Sequence, residues 1–153
     1  PLFDRMATPA DGKAMIKHYL LNPKHMLSPY GFRSLSAQDV EYNNKNIIVP
    51  FSNWQGPLWM NANYMYGIIL KHYGFSEQLN WLAHTLGQLM IKDYRKYGSL
   101  HESYDAETGA PLAPADTYVD KNGKYIGFIS WNLCIENLLQ GVVEGKWMTM
   151  ELK

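Results

Sequence analysis

The chain has 153 residues, a formal net charge of zero and a single cysteine. That length allows one domain, residues 1–153, with a real core, while one thiol excludes an internal disulfide framework. The balanced charge, without a basic stripe, argues against nucleic acid and an anionic membrane as partners.

The apolar spacing of Ala14, Met15, His18, Tyr19 and Leu21 predicts a first helix over Asp11–Leu21, stopped by Asn22-Pro23. Residues 22–34, rich in Pro, Gly and Ser, read as loop. Ser36 with Asp39 resembles a capping box and predicts a short helical turn. Residues 43–50 turn from polar to β-branched (Ile47, Ile48, Val49) and suit a short extended piece. Trp59–Tyr73, apolar nearly all round and followed by Gly74, reads as a buried helix. Ser76 is expected to cap the next helix, which runs to Tyr97 with Leu79, Leu82, Ala83, Leu86, Leu89, Met90, Tyr94 and Tyr97 on one stripe. Residues 110–127 form a long loop with Pro111, Pro114 and the turn Asp120-Lys121-Asn122-Gly123, a possible small hairpin. Trp131–Val143 is the last helix, again broadly apolar.

Buried helix, half-exposed helix, long loop, buried helix is the order of inner and outer helices in a ring of α-hairpins. An up-down bundle has similar periodicity but does not require long aromatic loops. In the ring, three aromatic segments meet on one face: Asn53-Trp54-Gln55-Gly56-Pro57-Leu58-Trp59, the loop Tyr97–Gly109 carrying Glu102, and Phe128-Ile129-Ser130-Trp131. Eleven tyrosines and five tryptophans, in a chain only 18% charged, supply rings that suit stacking on sugars or an aromatic core. Taken alone, Glu102 reads as a surface carboxylate and Trp54, Trp59 and Trp131 as core.

Four segments in order carry a resemblance. Gly31-Phe32-Arg33-Ser34-Leu35, the Trp54–Tyr64 segment with Asn63, Glu102-Ser103-Tyr104-Asp105 with Thr108-Gly109, and Phe128-Ile129-Ser130-Trp131 resemble the signatures of glycoside hydrolase family 63. The resemblance covers nearly the whole chain. It implies an all-α fold, the C-terminal portion of an (α/α)6 toroid forming an incomplete ring here, and inverting hydrolysis of an α-glycosidic bond, of the α-glucoside type. It assigns Glu102 as general base and points to Trp54, Gln55, Trp59, Asn63, Tyr104 and Trp131 as substrate-binding residues. Gln55 departs from the family, many members of which carry Arg there; Gln donates hydrogen bonds without a fixed charge, which leaves the exact substrate open.

The family's general acid belongs to a segment upstream of Pro1, and neither Asp4 nor Asp11 is a credible substitute. Inverting hydrolysis needs two carboxyl groups, so the chain alone is expected to be inactive. The expected partners are an oligosaccharide or small glycoside, and a missing N-terminal part of the toroid or a second chain covering exposed helix faces. No cofactor and no metal site are expected: His101-Glu102 lacks the second histidine of a zinc motif, and the other histidines lack ligand spacing. Cys134, in an apolar run, reads as a small buried hydrophobe. The alternatives are a trehalase-like hydrolase of the same fold and a non-catalytic carbohydrate-binding or structural module. No signal pattern or spanning apolar run appears, and the compartment is left open.

Overall fold

The structure, a computed structural model, describes residues 2, 7–45, 53–112, 119–124 and 126–147. Its first helix, α1 (Pro9–Met15), begins two residues before the expected start. Thr8 is the reason: its hydroxyl accepts the Asp11 N–H, and Pro9 fits the first helical position because it has no N–H to leave unpaired. The helix then widens into a π-helical turn, Ile16–Leu20, closed by the Leu21 N–H on the Ile16 carbonyl.

Residues 22–34 are more ordered than a loop. They form a small antiparallel hairpin, β1 (Leu27–Ser28) with β2 (Gly31–Phe32). Its strands are two residues long, too short for any alternation of polarity to show in the sequence. Around Ser36 the chain makes successive turns and no helix. The Ser36 hydroxyl accepts the Gln38 N–H, and the Ser36 and Asp39 carbonyls accept the N–H groups of Asp39 and Tyr42. The expected extended piece at Ile47–Val49 lies outside the described residues, as does Pro114.

Strand β3 (Leu58–Trp59) leads directly into helix α2 (Met60–His72), so Trp59 is the cap of that helix and not its first residue. A positive φ at Gly74 follows, and helix α3 (Ser76–Tyr97) folds back against α2. Phe75 occupies the cap position of α3 without a side-chain bond; Ser76 is inside the helix. Strand β4 (Ser103–Tyr104) pairs antiparallel with β3, Leu58 opposite Tyr104 and Trp59 opposite Ser103. Residues 120–124 make a tight turn, with Asp120 and Lys124 bonded through their backbones and Gly123 at φ 77°. A 3-10 turn, Ser130–Asn132, enters helix α4 (Leu133–Glu144), which packs against both α2 and α3.

The core lies among these three helices: Met60, Ile68, Leu70, Leu82, Leu86, Ile135 and Leu138 are buried, and Ile16, Leu20 and Phe32 seal one side. Two glycines let α4 come close. A methyl group on Gly67 would meet the Leu138 side chain at 2.6 Å, and one on Gly87 would meet Leu139 at 2.8 Å. The α3 stripe departs from expectation at its C-terminal end. Tyr94 and Tyr97 are exposed, 61% and 39%, and the residue that turns inward is Asp93, 4% exposed. The fold is helix-rich with two small sheets.

Candidate functional site

The start of α2, the end of α3 and the start of α4 come together at one end of the helices, and the three aromatic segments meet there. Trp54 stacks flat on Trp59, with ring centroids 4.1 Å apart and planes 7° apart. Trp59 meets Trp131 at 5.8 Å, and Trp131 meets Phe128 at 4.8 Å. The cluster is graded from core to solvent: Trp59 is 1% exposed, Trp131 is partly buried and Trp54 is 44% exposed. Its position is fixed by the loop before β3. The Trp59 indole N–H donates to the Asn53 carbonyl at 2.7 Å, and the Asn53 amide donates to the carbonyls of Asn43 and Lys45. The indole N–H of Trp131 is buried and has no hydrogen-bond partner among the described residues.

Glu102 is partly buried, in the connection between α3 and β4, one residue before the Trp59–Ser103 pair. That connection is held from below. The Asp93 carboxylate accepts the His101 backbone N–H at 2.9 Å and the Tyr104 hydroxyl at 2.8 Å, and the His101 ring Nδ1 lies 3.0 Å from both of its oxygens. Asn132, at the entry to α4, donates to the His101 carbonyl at 3.0 Å, and the Phe128 N–H donates to the Leu100 carbonyl at 2.7 Å.

The other marked residues divide clearly. Asn63 is fully buried, accepting the Phe32 N–H and donating to the carbonyls of Phe32 and Trp59, so it ties β2 to the start of α2. Tyr104 is also fully buried, its hydroxyl on Asp93, beneath the loop that carries Glu102. Gln55 is partly buried in the turn before β3; its N–H donates to the Asn53 side chain and its carbonyl accepts from Asn43. Arg33 is a clamp: its guanidinium donates to the carbonyls of Pro23, His25 and Leu27 and to the Glu107 carboxylate. Tyr42 donates to the same carboxylate, and burial raises its phenol, with Glu107 adding to the rise and Arg33 opposing it. Ser34 accepts the Gly56 N–H and donates its own N–H to the Pro57 carbonyl. Thus the segment 31–35 binds both the tryptophan loop and the turn after β4.

Reading the sequence for catalytic types missed Asp93. A signal for it was present: buried α3 positions fall at 79, 82, 86 and 89, and continuing that spacing of three and four residues reaches 93. Among the described residues, no group of three His, Cys, Asp or Glu side chains is placed to hold a metal ion.

Residues 4–116 match the model of the glycosyl hydrolase family 63 C-terminal domain. The chain belongs to glycosyl hydrolase family 63. Among curated relatives, the mannosyl-oligosaccharide glucosidase of Arabidopsis thaliana is 29% identical over 58% of this chain and 11% of its own length. A probable mannosyl-oligosaccharide glucosidase of Schizosaccharomyces pombe is 26% identical over 73% of this chain and 13% of its own length. The chain therefore spans little more than a tenth of these relatives. The family 63 mannosylglycerate hydrolase of Thermus thermophilus, solved in complex with glucose, shares the fold with a TM-score of 0.62 at 19% identity, covering 91% of this chain and 29% of the solved one. An uncharacterized conserved protein of the same organism gives 0.61 at 18% identity, covering 88% and 29%.

Proposed function

We propose that this chain is the C-terminal portion of an (α/α)6 toroidal glycoside hydrolase that cleaves an α-glycosidic bond with inversion. Glu102 is the general base and activates the attacking water. Trp54 and Trp131 wall the sugar site, with the exposed ring of Trp54 as the stacking platform, while Trp59, fully buried, backs Trp54 from beneath and touches no sugar. Gln55, at the edge of that wall, is a specificity contact. Asn63 and Tyr104 support the wall and the base from beneath. The observation that carries this reading is the pairing of β3 with β4, which sets the residue after Glu102 opposite Trp59.

The chemistry requires a second carboxyl. An inverting hydrolase protonates the leaving oxygen with an acid on the face opposite the base, the two carboxyl groups roughly 6.5–9.5 Å apart so that water fits between. That acid comes from a segment outside these 153 residues. The substrate class, an α-glucoside, is supported by family membership and by the names of the glucosidase relatives.

The test is Glu102→Gln in the full-length enzyme, assayed on 4-nitrophenyl α-D-glucopyranoside and a set of α-linked glucose disaccharides. Loss of a general base lowers kcat on the order of a hundredfold or more and leaves ligand binding close to wild type. An unchanged rate would refute the assignment, and sugar binding without any turnover in the wild type would mark a binding module.

A further inference from the structure

The sequence gives α3 a carboxylate where the helix calls for a leucine. Asp93 is inward-facing and 4% exposed, and His101 is 3% exposed. A buried carboxylate is costly unless its oxygens are hydrogen-bonded, and here every observed partner belongs to one short stretch of chain. The Asp93 oxygens take the His101 N–H, the His101 ring and the Tyr104 hydroxyl. The anchor points flank residue 102 on both sides. On the N-terminal side His101 is held by Asp93, by the Tyr104 hydroxyl on its N–H, by Asn132 on its carbonyl, and by an edge-to-face contact with the Tyr97 ring at 4.8 Å. On the C-terminal side Ser103 and Tyr104 are held in the ladder with β3.

We propose that Asp93 is a positioning residue that, through His101 and Tyr104, fixes the direction of the Glu102 side chain. This rests on the reading of Glu102 as general base. A helix and a strand fix a side chain by their own hydrogen-bond ladders, but Glu102 sits in a connection that has neither. A buried carboxylate bonded to the backbone next to Glu102 adds to the rigidity that catalysis needs. An apolar side chain at 93 would suit the buried face of the helix and would remove the acceptor that the His101 N–H, the imidazole and the Tyr104 hydroxyl share. Stability alone does not require this arrangement, because burying a charge in place of a well-packed leucine gains little or nothing.

The experiment is a double-mutant cycle in the full-length enzyme, with 4-nitrophenyl α-D-glucopyranoside and α-linked glucose disaccharides as substrates. Asp93→Asn keeps the shape but replaces one acceptor oxygen by a donor; Tyr104→Phe removes a single bond and is the milder variant. Each is expected to lower kcat, Asp93→Asn by about 10- to 100-fold, with KM within about twofold, because transition-state alignment is lost and sugar binding is not. In the Glu102→Gln background neither substitution lowers kcat further, since the group they aim is gone. Losses that multiply with that of Glu102→Gln, or a kcat unaffected by Asp93→Asn and Tyr104→Phe, overturn the proposal. An unaffected rate in Glu102→Gln itself overturns the reading beneath it, and so distinguishes the two failures. If Asp93→Asn does not fold, the Tyr104→Phe cycle decides. A crystal structure of the folded variant reads the same claim without turnover: the Glu102 carboxylate is displaced or split relative to wild type, and an unmoved carboxylate refutes it.

Discussion

Single side chains in this fold do one of two jobs, and burial separates them. Asn63 and Arg33 satisfy backbone groups that no strand or helix satisfies, and so join segments distant in sequence. Trp54 does the opposite, keeping a large ring at the surface against Trp59. Cys134 falls between the two. It is half-buried on α4, and burial pushes its thiol above the usual range, so less of it is thiolate at a given pH. Alkylation of Cys134 by iodoacetamide in the native protein is therefore expected to be slower at pH 8 than that of a free thiol of similar access, and to keep rising at pH values where the free thiol's rate has levelled off. Peptide mass spectrometry over a pH series measures this; a rate that levels off below pH 8 contradicts it. The sign for stability follows. Because the folded thiol holds its proton longer, its contribution is fully present below the unfolded thiol's range near about pH 8.5 and is lost as pH rises through the folded value.

Between elements, the decisive contacts are those of α4 with its two neighbours. Gly67 of α2 faces Leu138, which is fully buried, whereas Gly87 of α3 faces Leu139, which is partly exposed. Alanine at either position gains about 1 kcal/mol of helix propensity. At 67 the added methyl has to displace a leucine that is enclosed on all sides, and overpacking of that kind costs about 1–3 kcal/mol. At 87 the leucine can swing toward solvent. Gly67→Ala is thus expected to lower the melting temperature and Gly87→Ala to leave it near wild type; equal effects in calorimetry would show that the two faces are packed alike. The same contacts explain what was legible in the sequence. The helices α2, α3 and α4 were readable because each has more than ten residues of periodic apolar pattern. The two small sheets were not, because strands of two residues carry no period, and their partners are set by tertiary bonds such as Asn63 to Phe32. The start of α1 was missed by two residues because Thr8-Pro9 outweighs apolar spacing there. Of the candidate site, the aromatic segments were evident from their clustering and from the family resemblance, and Asp93 was hidden because an apolar stripe is traced by skipping charged residues.

At the scale of the whole molecule, the proposed mechanism asks for a carboxyl on each side of the sugar, and Glu102 is proposed for one of them. The chain covers 29% of the solved mannosylglycerate hydrolase it resembles, and apolar residues on α3 and α4, among them Ile91, Leu133 and Val143, are exposed. Among the described residues, three carboxylates on and beside the segment that carries Glu102 have partners: Asp93 is held by His101 and Tyr104, Asp105 accepts the N–H groups of Glu107 and Thr108, and Glu107 pairs with Arg33. Each of the three is thus engaged within the fold, whereas the second half of an inverting mechanism requires a carboxyl group directed at the leaving oxygen. The isolated 153-residue chain is therefore expected to hydrolyse α-glucosides no faster than its own Glu102→Gln variant, although the same substitution in the intact enzyme costs on the order of a hundredfold. Comparing wild type and variant in both contexts separates the base from the acid. If the short chain turns over substrate and loses that activity on Glu102→Gln, then a carboxyl within these residues protonates the leaving group, and the ring needs no outside acid.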